Sequence, residues 1–76
     1  MAKTPIGHFA ICIENDGYPA SLERRKIYVA LADHAAEKDS MVRVIDESGE
    51  DYLYPKEFFR EIALPEAVKK AILAAA

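Results

Sequence analysis

Residues 41–59, MVRVIDESGEDYLYPKEFF, decide the fold of this chain. The alternation of apolar and polar residues predicts one strand over 41–46 and another over 51–54. The polar residues 47–50 between them predict a tight turn, in which Gly49 supplies the positive φ that a reversal needs. Together these features predict an antiparallel β-hairpin. Burial on both sides of the first strand, or a bulge near its end, would explain its imperfect alternation.

The hairpin leads into a short turn and a further strand. Pro55 lacks a backbone N–H, so it ends a strand or begins a helical turn at little cost. Residues 56–59 are therefore predicted to form a single 3₁₀ turn that carries two phenylalanines. A short final strand is predicted over 60–63.

Two strands are predicted ahead of the hairpin, over 8–14 and 26–32. The polar residues Asn15, Asp16 and Gly17 end the first of them, and an irregular arm over 18–23 follows. The polar segment 33–40 has room for one helical turn. Alternate apolar residues share a face of each strand, and these are Phe9, Ile11 and Ile13 in the first and Ile27, Val29 and Leu31 in the second.

The C-terminal segment PEAVKKAILAAA predicts a short α-helix over about 65–75, with Pro65 at its start. Val68 and Ile72 lie on one apolar stripe of this helix. A helix this short is marginal alone in water, so the stripe should pack against something. The end of its own β domain is the first expectation, and a second copy in a homo-oligomer is the alternative.

Composition describes a folded domain and limits its partners. The chain has 76 residues, which predicts a single domain over 1–76, and a net charge of −3. This acidic balance argues against a nucleic-acid binder, since such proteins usually carry a basic surface. No apolar run is long enough to span a membrane, and no secretory signal is expected. The lone Cys12 and the absence of disulfides predict a cytoplasmic protein.

With these elements in place, residues 8–63 resemble a small SH3-like barrel. In that family, the fourth strand ends in an apolar residue followed by proline, two variable residues, an aromatic and an apolar residue. The matching run here is YPKEFF, over 54–59. The resemblance implies a mainly β fold, with a five-stranded SH3-like barrel followed by a short C-terminal α-helix. The arm 18–23 would belong to the long loop between the first two strands.

The chain departs from SH3 domains that bind proline-rich peptides. It has no tryptophan, and the run 9–13 lacks the tyrosines of their binding groove. The resemblance places Pro55 and Phe58 at groove positions, with Tyr18 as a looser match. The run RVIDESGEDYLYP also resembles one found in short uncharacterised bacterial proteins, which implies a bacterial origin and no particular activity.

The polar residues do not predict an enzyme or a metal site. His8 and Cys12 share a strand face but lie about 13 Å apart along it, too far to bind one zinc ion. His34 lies in a polar segment, where a solvated side chain is expected. The three glycines are isolated, so no phosphate-binding loop is predicted. The acidic turn 46–51 lacks the spacing of a calcium loop and is expected to be a soluble hairpin tip, and no cofactor is expected.

Two binding hypotheses follow. The first is a non-enzymatic protein-interaction domain, and its candidate residues are Tyr18, Leu53, Pro55 and Phe58. The alternative is an RNA-associated SH3-like or Sm-like domain, and its candidate cations are Arg24, Arg25, Lys26 and Arg43.

Overall fold

A computed structural model describes residues 6–75 of the chain. It contains five strands, two α-helices and one 3₁₀ turn. In chain order these are β1 (Ile6–Cys12), β2 (Ile27–Leu31), α1 (His34–Lys38), β3 (Met41–Ile45), β4 (Asp51–Pro55), the 3₁₀ turn (Lys56–Phe58), β5 (Phe59–Ile62) and α2 (Glu66–Ala74).

The strands form one antiparallel sheet in the order β4-β3-β2-β1-β5. The mainly β prediction with five strands and a C-terminal helix is therefore confirmed. Strands β4 and β5 are the two edges, and within residues 6–75 they are not hydrogen-bonded to each other. The hydrogen bonds of these residues therefore do not join the edges of the sheet into a closed barrel. Its edges approach through side chains, since the rings of Tyr54 on β4 and Phe59 on β5 lie 6.4 Å apart.

One face of the sheet carries the main hydrophobic core. Aromatic rings at its centre meet edge to face, as Tyr28 does with Phe59 at 6.2 Å. Leu22 enters this core from the arm between β1 and β2 and is 1% exposed. The buried residues of the cluster are Ala10, Cys12, Leu22, Tyr28, Ala30, Val42, Val44, Tyr54 and Phe59.

The opposite face is a second, thinner apolar layer. Phe9 and Val29 are buried there, although neither belongs to the main core cluster. Ile72 of α2 borders a groove with Ile27, Val29 and Ile45, which places the helix over this face. Because no described residue of α2 is buried, the helix covers the layer only loosely.

The predicted hairpin is present without a bulge. Residues of β3 and β4 pair in one continuous register from Met41 opposite Pro55 to Ile45 opposite Asp51. Burial on both faces of β3 explains its imperfect alternation, since Val42 is buried while Met41 and Ile45 are half-buried. Gly49 adopts a φ of 84°, as predicted for the turn.

The polar segment before β3 forms α1. The side chain of Asp33 caps this helix by accepting a hydrogen bond from the Ala36 N–H at 3.0 Å. Asp33 also accepts from Arg43 of β3 at 2.8 Å, which ties the short helix to the sheet. Neither α1 nor α2 has the length and apolar character needed to cross a membrane, and no other α-helix occurs within residues 6–75.

Candidate functional site

A cluster of three aromatic side chains lies where the arm meets the end of β4. The ring of Tyr18 packs edge to face on Tyr54 at 5.0 Å and lies 6.1 Å from Phe58. Tyr54 is buried and forms the floor, whereas Tyr18 keeps 40% of its surface exposed and Phe58 is half-buried. We call these three residues the aromatic surface.

The arm holds Tyr18 in place through its own backbone. Tyr18 N–H donates to the Asn15 carbonyl at 2.8 Å, and the Leu22 N–H donates to the Tyr18 carbonyl at 3.0 Å. The Asn15 amide closes the arm by donating to the Leu22 carbonyl at 3.0 Å. Because Leu22 is anchored in the core, Tyr18 is presented from a folded loop.

The buried carboxylate of Asp46 supports the floor of the aromatic surface. Tyr54 donates its hydroxyl hydrogen to Asp46 at 2.5 Å, and both the N–H and the hydroxyl of Ser48 donate to the same carboxylate. Burial and the hydrogen bond to Asp46 raise the pKa of Tyr54 to about 12. Burial opposes ionisation of Asp46, but the bonds from Ser48 and Tyr54 outweigh it and lower the pKa of this carboxyl.

A second tyrosine–carboxylate pair lies beside the first. Tyr28 accepts a hydrogen bond from the Glu23 N–H at 2.8 Å and donates one to Glu47. Lys26 binds the same carboxylate at 2.6 Å. The bonds from Lys26 and Tyr28 lower the pKa of Glu47, while burial and the bond to Glu47 raise the pKa of Tyr28 far above its usual range. Glu47 thus ties the hairpin end to the arm through Tyr28, and the Glu47 N–H also donates to the Ser21 carbonyl at 3.0 Å.

These lowered carboxyl pKa values predict acid sensitivity. In the unfolded chain Asp46 and Glu47 should titrate near 3.8 and 4.5, and in the fold they titrate lower. Their stabilising contribution is therefore complete above about pH 4.5 and is lost as the pH falls through the folded values. We expect the melting temperature to be flat from about pH 7 to 5 and to fall below about pH 4, as followed by circular dichroism. The variant Glu47→Gln should show a shallower fall, whereas a melting temperature that holds or rises below pH 4 would contradict this assignment.

The four residues predicted for protein binding fall on two faces. Tyr18 and Phe58 meet in the aromatic surface. Leu53 lies on the other face of β4, beside Arg43, and is 40% exposed. Pro55 has the same strand parity as Leu53, so it does not join Tyr18 either. Because this much of Leu53 is exposed, no described segment, α2 included, covers it fully.

The predicted cations are also divided. Arg43 pairs with Leu31 at one end of β2, whereas Lys26 precedes the other end, about 16 Å away along the strand. Lys26 is bound to Glu47, and Arg43 is bound to Asp33 and Asp51.

Arg24 and Arg25 line a shallow groove that also contains acidic residues, Glu23 and Glu47. Arg25 adopts a φ of 73°, and its N–H donates to the Cys12 carbonyl at 2.7 Å.

The candidate metal and nucleophile residues remain apart. His34 is exposed at the start of α1, and Cys12 is buried with its thiol donating to the Glu14 carbonyl at 3.2 Å. Within residues 6–75 the histidines, cysteine and carboxylates form no group of three that could hold a metal ion.

Sequence reasoning missed Asp46 as part of this region. Asp46 directly follows β3, and the sequence predicts it as part of the soluble acidic turn 46–51. The available signal was that Asp46 and Tyr54 lie on the same face of the hairpin. The register sets Tyr54 opposite Val42, and the length of the tyrosine side chain brings its hydroxyl to the carboxylate.

Comparison of the chain with models of known protein families, with curated protein sequences and with solved structures gives no match. Function is therefore inferred from the chain's own side chains.

Proposed function

We propose that this protein is a non-enzymatic binding domain that holds an apolar, positively charged segment of a partner protein on the aromatic surface. The carrying observation is the position of Tyr18, which is packed against Tyr54 and Phe58 and yet is 40% exposed. Tyrosine in this setting offers a large contact area at a low entropic cost, which is why aromatic side chains are frequent at binding hot spots.

The charges next to the aromatic surface support a basic partner. Glu14 and Asp16 precede Tyr18 by four and two residues in the chain, and Glu57 directly precedes Phe58. All three are exposed, and none forms an ion pair with a residue in the described range 6–75. A lysine or arginine beside the apolar anchor of the partner would complement them.

We further propose that the five strands form an SH3-like barrel. The strand order β4-β3-β2-β1-β5 and the 3₁₀ turn between the two edge strands support this assignment. The contact between Tyr54 and Phe59 brings these edges together over one core. In this reading the aromatic surface lies between the long loop and the 3₁₀ turn, where SH3-like domains meet partners.

The RNA-binding alternative has less support from the side chains. Two of its four cations, Lys26 and Arg43, are already engaged by carboxylates. Attraction to phosphate would have to compete with these pairs, and the net charge of −3 opposes it.

Selection of displayed peptides on the immobilised domain tests the protein-binding proposal. We expect the selected peptides to combine apolar residues with lysine or arginine and to bind more weakly as salt is raised. Tyr18→Ala should weaken the selected peptides by about tenfold or more, as measured by fluorescence anisotropy.

Tyr52→Ala is the matched control, because Tyr52 is a 50% exposed tyrosine outside the aromatic surface. This variant should bind as the wild type does. Equal losses in Tyr18→Ala and Tyr52→Ala, or a selection without enriched peptides, would overturn the proposal.

A further inference from the structure

Within residues 6–75, the outer edge of strand β4 is unpaired, and its hydrogen-bonding groups can be assigned residue by residue. Asp46 N–H donates to the Glu50 carbonyl at 3.0 Å, and Lys56 N–H donates to the Ser40 carbonyl at 3.0 Å. These bonds lie at the two ends of the β3–β4 pairing, which has no register shift. Because alternate residues of an antiparallel strand bond to the same neighbour, the main chain of Tyr52 and Tyr54 faces β3.

The main chain of the intervening residues faces outward. These residues are Asp51, Leu53 and Pro55. Within the described part of the chain, no backbone hydrogen bond from a loop or turn reaches any of them. The opposite edge, β5, is less available, because the Phe59 N–H already donates to the Lys56 carbonyl. The N–H groups of Asp51 and Leu53 are thus donors to whatever strand pairs there.

We propose that two copies of this chain associate by antiparallel pairing of β4 with β4 about a two-fold axis at Leu53. Each Leu53 N–H would donate to the Leu53 carbonyl of the other copy. Each Asp51 N–H would donate to the Pro55 carbonyl of the other copy. Proline normally protects an edge because it cannot donate, but in this register Pro55 only has to accept.

The side chains of β4 are complementary to themselves in this register. Leu53 lies opposite its own copy, and Tyr52 lies opposite Tyr54 of the other copy. Glu50 lies opposite Lys56, so an acidic and a basic residue meet at each end of the pairing. Moving the axis to Asp51 would set two carboxylates opposite each other, which disfavours that register. Leu53 and Tyr52, exposed by 40% and 50% in one copy, would both lose exposed surface.

This inference shares Tyr54 with the aromatic surface, but it rests on the main chain of the β4 edge and not on Tyr18, so the two proposals are tested separately. It also differs from association through α2, which the apolar stripe of that helix suggests. The two routes to a dimer would bury different apolar residues, Leu53 on β4 and Val68 on the stripe of α2, and each is 40% exposed in one copy. This equal exposure provides a matched pair of variants.

Sedimentation equilibrium of the full chain, from about 10 µM to about 1 mM, tests the proposal. The average mass of the wild type should rise with concentration from 8.5 kDa towards twice that value. Leu53→Lys places two lysines opposite each other and should weaken association by about tenfold or more. Val68→Lys should associate as the wild type does.

A charge exchange provides a test that does not depend on Leu53. Glu50→Lys and Lys56→Glu should each weaken association, and the double variant should restore it. Circular dichroism melting of every variant confirms that it is folded. A wild type that stays at 8.5 kDa throughout overturns the proposal. Weakening by Val68→Lys alone also overturns it, because that result would place the contact on α2.

Discussion

Replacing Phe59 with alanine should cost about 3–5 kcal/mol of the free energy of unfolding. Phe59 is buried between Tyr28 and Tyr54, and its contact with Tyr54 joins the two edge strands of the sheet. A domain of 76 residues has a total stability of about 4–11 kcal/mol on a per-residue basis. The variant should therefore be close to the limit at which it remains folded at 25 °C. Urea unfolding followed by circular dichroism measures the loss.

The neighbouring Phe58 provides the control for this prediction. It has the same side chain but is half-buried and packs at the margin of the core. Phe58→Ala should cost about 1 kcal/mol and leave a folded protein, since much of its surface already meets water. If both substitutions cost the same, Phe58 belongs to the core and is not available to a partner.

Replacing Asp46 with alanine should cost about 2–3 kcal/mol. The substitution leaves the buried Tyr54 hydroxyl without its acceptor and removes the carboxylate that Ser48 binds twice. Burying an unpaired polar group costs more than its hydrogen bond gains when it is made. Chemical unfolding at pH 7 measures the loss, and Ser48→Ala, which removes a single donor, should cost less.

A double-mutant cycle measures the coupling energy between Asp46 and Tyr54 apart from their other contacts. Tyr54→Phe removes the hydroxyl that Asp46→Ala leaves unsatisfied, so the double variant should be more stable than the sum of the single losses predicts, by about 1 kcal/mol. Additive losses would show that Asp46 acts on the turn through Ser48 and not on the floor of the aromatic surface.

The hairpin was predictable because its signals are local. Alternation over β3, the polar turn with Gly49 and the Pro55 boundary each act over a few residues, and all three appear as predicted. Element ends shifted by only one or two residues, as in β1, which spans Ile6–Cys12 where 8–14 was predicted. Local propensity was enough for this part of the fold.

The choice of core face could not be predicted in the same way. The apolar stripe of Phe9, Ile11 and Ile13 gives β1 one evident face, yet the main core takes the other, with Ala10 and Cys12. Small residues suit that face because Tyr28, Tyr54 and Phe59 fill the space above them. Which face of a strand packs into the main core depends on the size of side chains on distant strands. The alternation of residues within one strand carries no information about those side chains.

The four residues predicted for protein binding fall on two faces for a related reason. Tyr18 and Phe58 meet only because Leu22 anchors the arm and Phe58 accepts from the Ile13 N–H at 2.8 Å. The sequence places Leu53 with them because both faces of β4 carry apolar residues, whereas in the fold Leu53 lies on the face opposite Tyr54. Contacts between segments far apart in the chain decided the site.

The burial of Cys12 makes its thiol a built-in probe of local unfolding. It is the single cysteine of the chain, its surface is 0% exposed, and burial raises the pKa of its thiol. A reagent that needs an accessible thiolate can react only in the moments when β1 separates from its neighbours. The rate of modification at this one sulfur therefore reports how often β1 opens, with no label added to the chain.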